Sequence, residues 1–421
     1  MDARKGEILK ITEHEWKLGI CIGRGTCSEV FEAAGTLCYK SGRKRAVKGA
    51  VKVFKEGSQF EQAALNEIKI LQYLCHESES LDVYYFVHLL DYFLYRGNFY
   101  LVFEQLDCHL HHILLKYSAK GLPISIVRRC SKDVVKALSF LAIKRVVHGD
   151  LKMSNIMWNP NRGIFQLVDF GLSFLEGHLQ PSQPLQSPGY QSPEVQMWNR
   201  LVPHGTTENS MSKCLFACDM WSFSYVLWYM YTGHPAPRHE LHEPVCTMCL
   251  QEKDCMHFQQ IQKELPQDER EITLEQHDFF LDFVMRMMKC KPEQRITPFN
   301  AMQHSFLNEG STWNVPLGVT ELLLLPTRIL QLTNILLEDL STDLLFDGLM
   351  DVKEECAKFG AVKGFKFTGD SNIGYKVFVE FSNADDCSRA HSALTGRDFN
   401  GRTVITSFYP IDYYHIDYFW C

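Results

Sequence analysis

The stretch VVHGDLKMSNIMW, residues 146–158, limits most sharply what this chain can fold into. Asp150, Lys152 and Asn155 hold a fixed spacing within it, and LVDFGLSF at 167–174 adds Asp169 a short way downstream. Any one of these polar residues is explained by a turn, but the ordered set is not. Upstream stand a glycine-bearing IGRGTCSEV, a strand-like AVKVF and a helical NEIKILQYL. The pattern along the chain matches that order. β-rich runs bounded by turns fill residues 16 to about 100, interrupted by one helical pattern at 60–74, and long helical patterns dominate from residue 110. A small sheet lobe followed by a large helical lobe is expected.

These pieces suit the transfer of a phosphoryl group, which asks for positioning and for stabilisation of spread negative charge more than for covalent chemistry. Gly23 and Gly25 let a hairpin approach phosphates closely, with Ser28 where a third glycine is usual and Val30 after it. Ala50, Val51 and Val53 surround Lys52 in an alternating strand, so this lysine is expected to reach the phosphates and Glu67 to orient it. Lys48, in a similar AVK, is the less favoured rival, because its setting among glycine and arginine reads as a turn. Asp150 can accept a hydrogen bond from a substrate hydroxyl, and Lys152 balances γ-phosphate charge. Asn155 and Asp169 supply hard oxygens suited to magnesium, so ATP and Mg2+ are the expected cofactors.

Taken in order, the Gly loop, Lys52, Glu67, HGD-LKxxN, DFG, SPE and D-x-W cause residues 16–306 to resemble a eukaryotic protein kinase. The resemblance implies a bilobal fold, with a small lobe at about 16–105 and a large lobe at about 106–306. It implies Phe103 as the gatekeeper and residues 104–106, from Glu104 to Leu106, as the hinge for adenine. It also implies that Glu194 of Ser192-Pro193-Glu194 pairs with Arg295, and that Asp219 braces the catalytic loop. Gly149 stands where many kinases carry an arginine that needs a phosphate on the activation segment. Without that cation, an enzyme active without such phosphorylation is expected. Gln191 stands before Ser192 where proline-directed kinases usually have arginine, which leaves proline preference open.

Residues 307–327 change to an irregular connection, LNEGSTWNVPLGVTELLLLPT. A β-α-β-β-α-β order follows over 328–410: strands at 328–336, 361–368, 374–381 and 403–409, and helices at 346–359 and 383–394. The fold class expected is therefore α+β, a bilobal kinase fold followed by a small βαββαβ domain like an RNA-recognition motif. GYKVFVEF keeps Phe378, but Lys376 takes the place of one stacking aromatic and Leu330 that of another, so little or no direct RNA binding is expected. The first helix carries acids at Asp347, Asp351, Glu354 and Glu355, beside an inward stripe of Leu349, Val352, Cys356 and Phe359. Arg397 and Phe399 form an Arg-x-Phe in the loop before the last strand. Together these resemble the UHM, the variant recognition motif of splicing factors, in which the Phe and Arg flank a pocket for a partner tryptophan and the helix acids meet basic residues before it.

The union of both domains resembles the kinases that carry a UHM, through the HGD loop, LLLLPT, VKEECAKFG, GRDFNGR and SFYP. What that implies is a Ser/Thr kinase preferring serine before proline, partnered by splicing factors with Trp-containing basic ligand motifs, nuclear and also cytoplasmic. A scaffold with a poorly binding kinase lobe, or an RNA-binding kinase, are the alternatives. The aromatic tail at 411–421 is expected to pack on the small domain rather than bind a partner.

A formal charge of -7 argues against a general nucleic-acid coat. The polar opening MDARKGEILK reads as no secretory signal and no apolar run reaches the length of a membrane span, so reduced thiols are expected for the 15 cysteines. Cys246, Cys249, Cys255 and His257 match no standard finger spacing and read as ordinary thiols on a loop rather than a zinc site. Arg43, Lys44 and Arg45 read as a solvated turn.

Overall fold

The structure is a computed structural model that describes residues 5–11, 14–38, 44–76, 85–117, 120–179, 183–201, 216–236, 274–308, 322–335, 342–370 and 374–419. The cysteine–histidine cluster at 246–257, Arg43, Leu336 and most of the 307–327 connection lie outside these residues. The chain divides into two compact units, one of Met1–Leu122, Val127–Met157 and Phe165–Gly310, the other of Pro123–Ile126, Trp158–Ile164 and Ser311–Cys421.

The first unit opens with six strands: β1 (Ile8–Ile11), β2 (His14–Arg24), β3 (Ser28–Cys38), β4 (Lys44–Phe54), β5 (Leu89–Tyr95) and β6 (Asn98–Glu104). They form one antiparallel sheet in the order β1-β2-β3-β4-β6-β5. Trp16 is fully buried against it, and a Cβ on Gly35 would stand 2.4 Å from its ring, so only glycine lets the indole lie on the strand. One helix, α1 (Ser58–His76), packs on the sheet through Ala64, Ile68, Leu71 and Leu74. The expected turn around Lys48 is not there. Lys44, Arg45 and Lys48 all lie in β4, Lys48 opposite Ala34, because the alternating AVKGAVKVF extends the strand over 11 residues.

Helices α2 (Leu110–Tyr117) and α3 (Ile124–Ile143) follow, then α4 (Pro193–Leu201), α5 (Phe216–Thr232), α6 (Leu274–Met287) and α7 (Pro298–Met302). Buried on nearly every side, α5 has the apolar circumference of a helix at a domain centre. Among the described residues no helix is long and apolar enough to cross a membrane. Short strands β7 (Val146–Val147), β8 (Ile156–Asn159), β9 (Ile164–Leu167) and β10 (Phe174–Leu175) bracket the polar loops read from the sequence.

The second unit carries β11 (Ile329–Thr333), α8 (Thr342–Ala357), β12 (Val362–Asp370), β13 (Gly374–Phe381) and α9 (Ala384–Leu394). Then come a small hairpin, β14 (Asp398–Phe399) with β15 (Arg402–Thr403), the strand β16 (Ile405–Phe408) and a short helix α10 (Ile411–His415). Its sheet runs β12-β13-β11-β16, the RNA-recognition arrangement. The expected strand at 403–409 is thus divided, its first residue closing a hairpin. Leu330, Leu332, Val377, Val379 and Phe381 face α8 and α9 in one core. Leu330 therefore does not occupy a stacking position, as the sequence reading had it: strand alternation turns it inward and leaves Ile329 and Gln331 on the other face.

Candidate active site

Glu67 is buried on α1, and its Oε2 accepts from Lys52 Nζ at 2.7 Å. The same Nζ donates to Asp169 Oδ1 at 2.7 Å. Lys52 and Lys48 share one strand face, so position along the strand, not alternation, selects Lys52. Burial opposes charge on this lysine, yet the carboxylates of Asp169 and Glu67 outweigh it and raise its pKa. For Asp169, burial pushes the carboxyl up, but the charge and hydrogen bond of Lys52, helped by Lys152 and His148, hold it down to about 2. Asp169 sits at φ 64°, a left-handed backbone that aims its 43% exposed side chain toward the cluster.

Asp150 lies between apolar strands β7 and β8 and is buried. Lys152 Nζ donates to its Oδ2 at 2.7 Å, and Asn155 Nδ2 to its carbonyl oxygen at 2.9 Å. The loop is pinned from beneath, since Asp219 on α5 accepts from the backbone N–H of His148 (2.8 Å) and Gly149 (3.0 Å). Burial raises the pKa of Asp219, an effect countered by His148 and those two N–H groups. Glu194 and Arg295 form a forked pair, Nη2 to Oε2 at 2.7 Å, with the guanidinium 4.9 Å over the Trp221 ring.

Gly23 pairs with Val30 across the β2–β3 hairpin, and Gly25 N donates to Ser28 O at 2.8 Å. Val30 lies opposite Lys52, and Ala50 opposite Phe103. Glu104 Oε1 accepts from His88 N at 3.0 Å, and Leu106 is buried beyond it. The pairings of β2, β3, β4 and β6 therefore carry the expected nucleotide positions on one sheet, the contact of Lys52 with Asp169 ties that sheet to the segment after β9, and Asp150, Lys152 and Asn155 are joined to one another in the loop before it.

A protein kinase domain matches residues 16–307. The chain belongs to the protein kinase family. It is 32% identical over 323 residues to the serine/threonine-protein kinase Kist of Homo sapiens and to that of Mus musculus, covering 76% of this chain and 73% of each relative. Over 317 residues it is 29% identical to the dual specificity tyrosine-phosphorylation-regulated kinase 4 of Homo sapiens, covering 69% of this chain and 56% of that one. With the Kist relatives it is a protein serine/threonine kinase, using ATP and a divalent metal. The donor set fits such a metal: the Asp169 carboxylate and the Asn155 amide oxygen, whose partner nitrogen is held on Asp150, are hard oxygen ligands. A divalent ion held there would supply positive charge to a bound triphosphate.

In this kinase, sequence reasoning missed the role of Ser187. Its Oγ donates to Asp150 Oδ1 at 2.7 Å and accepts from Lys152 Nζ at 2.9 Å, so the activation segment touches the catalytic loop directly. Only the neighbouring Pro188 marked this serine in the sequence. Asn66 was missed too; its Nδ2 donates to Ser173 O at 2.8 Å, tying α1 to the segment after Asp169.

The helix acids and the Arg-x-Phe lie in the second unit. Asp347, Asp351 and Glu354 are exposed on α8, while Glu355 pairs with Lys358 and, at 2.8 Å, with Arg397. Hydrogen bonding from Lys358, then from Arg397, lowers the pKa of Glu355. The acid at Glu355 is thus partnered from within the chain. Phe399 is half-buried against the core.

Proposed function

We propose that this kinase transfers the γ-phosphoryl group of Mg-ATP to serine or threonine, preferring serine before proline, in splicing or related regulatory factors that its C-terminal UHM recruits. The observation that carries the chemistry is the closed set in which Lys52 touches both Glu67 and Asp169 while Lys152 and Asn155 both reach Asp150. Asp150 accepts the substrate hydroxyl and orients it for attack, Lys152 balances the transferred group, and Asn155 with Asp169 hold magnesium. Gly23, Gly25, Ser28, Val30, Ala50, Phe103, Glu104 and Leu106 form the nucleotide wall. A scaffold without transfer has no need of this complete set.

Independence from activation-segment phosphorylation is supported at Gly149. Its φ is 76°, and a Cβ there would stand 2.9 Å from Leu172 O. Contacts within the chain take the place of a phosphate: the Gln186 backbone N–H donates to Gly149 O at 2.8 Å, and the side-chain Nε2 of Gln183 to Leu172 O at 2.9 Å.

Proline preference is supported by Gln191. Its Nε2 donates to Gln186 O at 3.1 Å, and Gln186 takes a left-handed φ of 55°. That carbonyl, already accepting from Gln191, is a poorer partner for a substrate N–H after the phosphoacceptor, and proline has none to satisfy.

Recruitment rests on Arg397 and Phe399 beside the acidic face of Asp347, Asp351, Glu354 and Glu355, which suits a tryptophan within a basic segment. The intact chain binds RNA little, and it works in the nucleus and also in the cytoplasm. The test compares phosphate transfer to a Trp-motif splicing factor with transfer to its Trp→Ala form. A KM raised at least about tenfold for the Trp→Ala substrate, at unchanged kcat, is expected; equal KM values would remove the recruiting role.

A further inference from the structure

One residue, Lys55, holds the tip of the β2–β3 hairpin, Gly25-Thr26-Cys27. It stands just beyond the end of β4, where its Nζ donates to Gly25 O at 3.1 Å and to Thr26 O at 2.7 Å, and its backbone N–H donates to Cys27 O at 2.9 Å. Three successive carbonyl oxygens thus turn toward Lys55. In a trans peptide plane the next N–H points opposite to the carbonyl oxygen, so the N–H groups of Thr26 and Cys27 turn away from it. The N–H of Gly25 closes the turn on Ser28 O, and among the described residues those of Thr26 and Cys27 have no partner. Lys55 lies an odd number of residues past Lys52, so strand alternation puts the two side chains on opposite faces, while Phe54 shares the Lys52 face with its ring 5.1 Å from Nζ. The two unused N–H groups are therefore presented on the side of Lys52.

We infer that Lys55 is a positioning residue for the nucleotide: by engaging the carbonyl side of the hairpin tip it presets the N–H groups of Thr26 and Cys27 as donors to the ATP phosphates. The inference rests on the reading that the glycine hairpin and Lys52 receive the triphosphate. Glycines at 23 and 25 leave the hairpin many conformations, and closing it on a ligand costs that freedom. A loop already fixed in its binding conformation avoids the cost, so Lys55 acts on affinity without touching the nucleotide. Its side chain is exposed, and removing it leaves the buried face of the sheet untouched.

The test uses the full chain and calorimetric titration with Mg-ATP and with adenosine, which has no phosphate, alongside steady-state transfer to one peptide. Lys55→Met, which keeps the side-chain length without a donor, is expected to bind Mg-ATP about tenfold more weakly and to raise its KM likewise, while adenosine affinity, kcat and the unfolding midpoint stay as in the parent. Lys55→Arg, which keeps the donors, is expected to bind Mg-ATP within about twofold of the parent. Equal Mg-ATP affinity in the parent and Lys55→Met, a loss that adenosine shares, or a loss that Lys55→Arg does not repair overturns the inference. Lys52→Met separates that failure from failure of the underlying reading: if the parent binds Mg-ATP no better than adenosine and Lys52→Met binds it no worse, the triphosphate site itself is removed and the role of Lys55 with it.

Discussion

The hydroxyl of Ser187 lies 2.7 Å from Asp150 Oδ1, so the carboxylate proposed to receive the substrate hydroxyl is held by a serine of the chain's own activation segment. Its backbone N–H adds a second bond to the same oxygen at 3.0 Å. Ser187→Ala is expected to lower kcat by about 10-fold or more, the value of a hydrogen bond to a charged group, whereas Ser187→Thr keeps most of the rate. Steady-state transfer to one peptide checks both; an undiminished kcat in Ser187→Ala would show that the contact is incidental.

Lys52 and Asp169 keep their charges across the whole working range. The lowered carboxyl of Asp169 contributes stability that is present above its unfolded pKa of about 3.9 and disappears as pH falls through about 2. The raised pKa of Lys52 makes its contribution complete below about 10.4 and lost only as pH climbs through the higher folded value. Between these limits neither group titrates, so Lys52→Met is expected to lower transfer by about 100-fold or more equally at pH 6 and pH 8. Rate profiles of the two proteins check this, and a loss confined to one pH would contradict it.

Gly149 accommodates a backbone that other residues resist. Gly149→Ala is expected to cost about 1–2 kcal/mol of stability, from the left-handed φ and the approach of Leu172 O. Urea unfolding measures it. Phosphatase treatment of the parent protein is expected to leave transfer intact, because Gln186 and Gln183 tie the segment to Gly149 and Leu172.

Gln191→Ala frees the Gln186 carbonyl for an approaching N–H. The ratio of transfer to Ser-Pro over Ser-Ala peptides is expected to fall about fivefold, the value of one neutral hydrogen bond. An unchanged ratio would place the preference elsewhere.

Arg295 has a fully buried side chain that is paired with Glu194, stacked over Trp221 and bonded to three carbonyl oxygens. Arg295→Ala is expected to destabilise the fold by about 3–5 kcal/mol, since it leaves Glu194 without its partner. Thermal unfolding with an apparent midpoint unchanged would contradict that.

The set proposed as catalytic could be read because phosphoryl-transfer chemistry fixes residue type and order together: Lys52, Glu67, Asp150, Asn155 and Asp169 come from four separate stretches. Likewise the alternation of β13 placed its strand at the residues where it lies, 374–381. What escaped were features set by tertiary contact. Lys48 read as a turn because glycine and arginine are weak strand formers, yet pairing on both sides of β4 overrides that preference. Leu330 was assigned to the wrong face because a one-residue error in register reverses every side chain. The bond of Ser187 to Asp150 and the stacking of Phe419 on Phe378 depend on contacts across 37 and 41 residues, which no local pattern reports.

The most direct measurement is phosphate transfer from Mg-ATP to a Ser-Pro peptide by the purified chain and by its Asp150→Asn variant, both shown to unfold at the same temperature. The account predicts turnover by the parent protein and a loss of about 100-fold or more in the variant. Equal rates in the two, or no turnover by either, would contradict it.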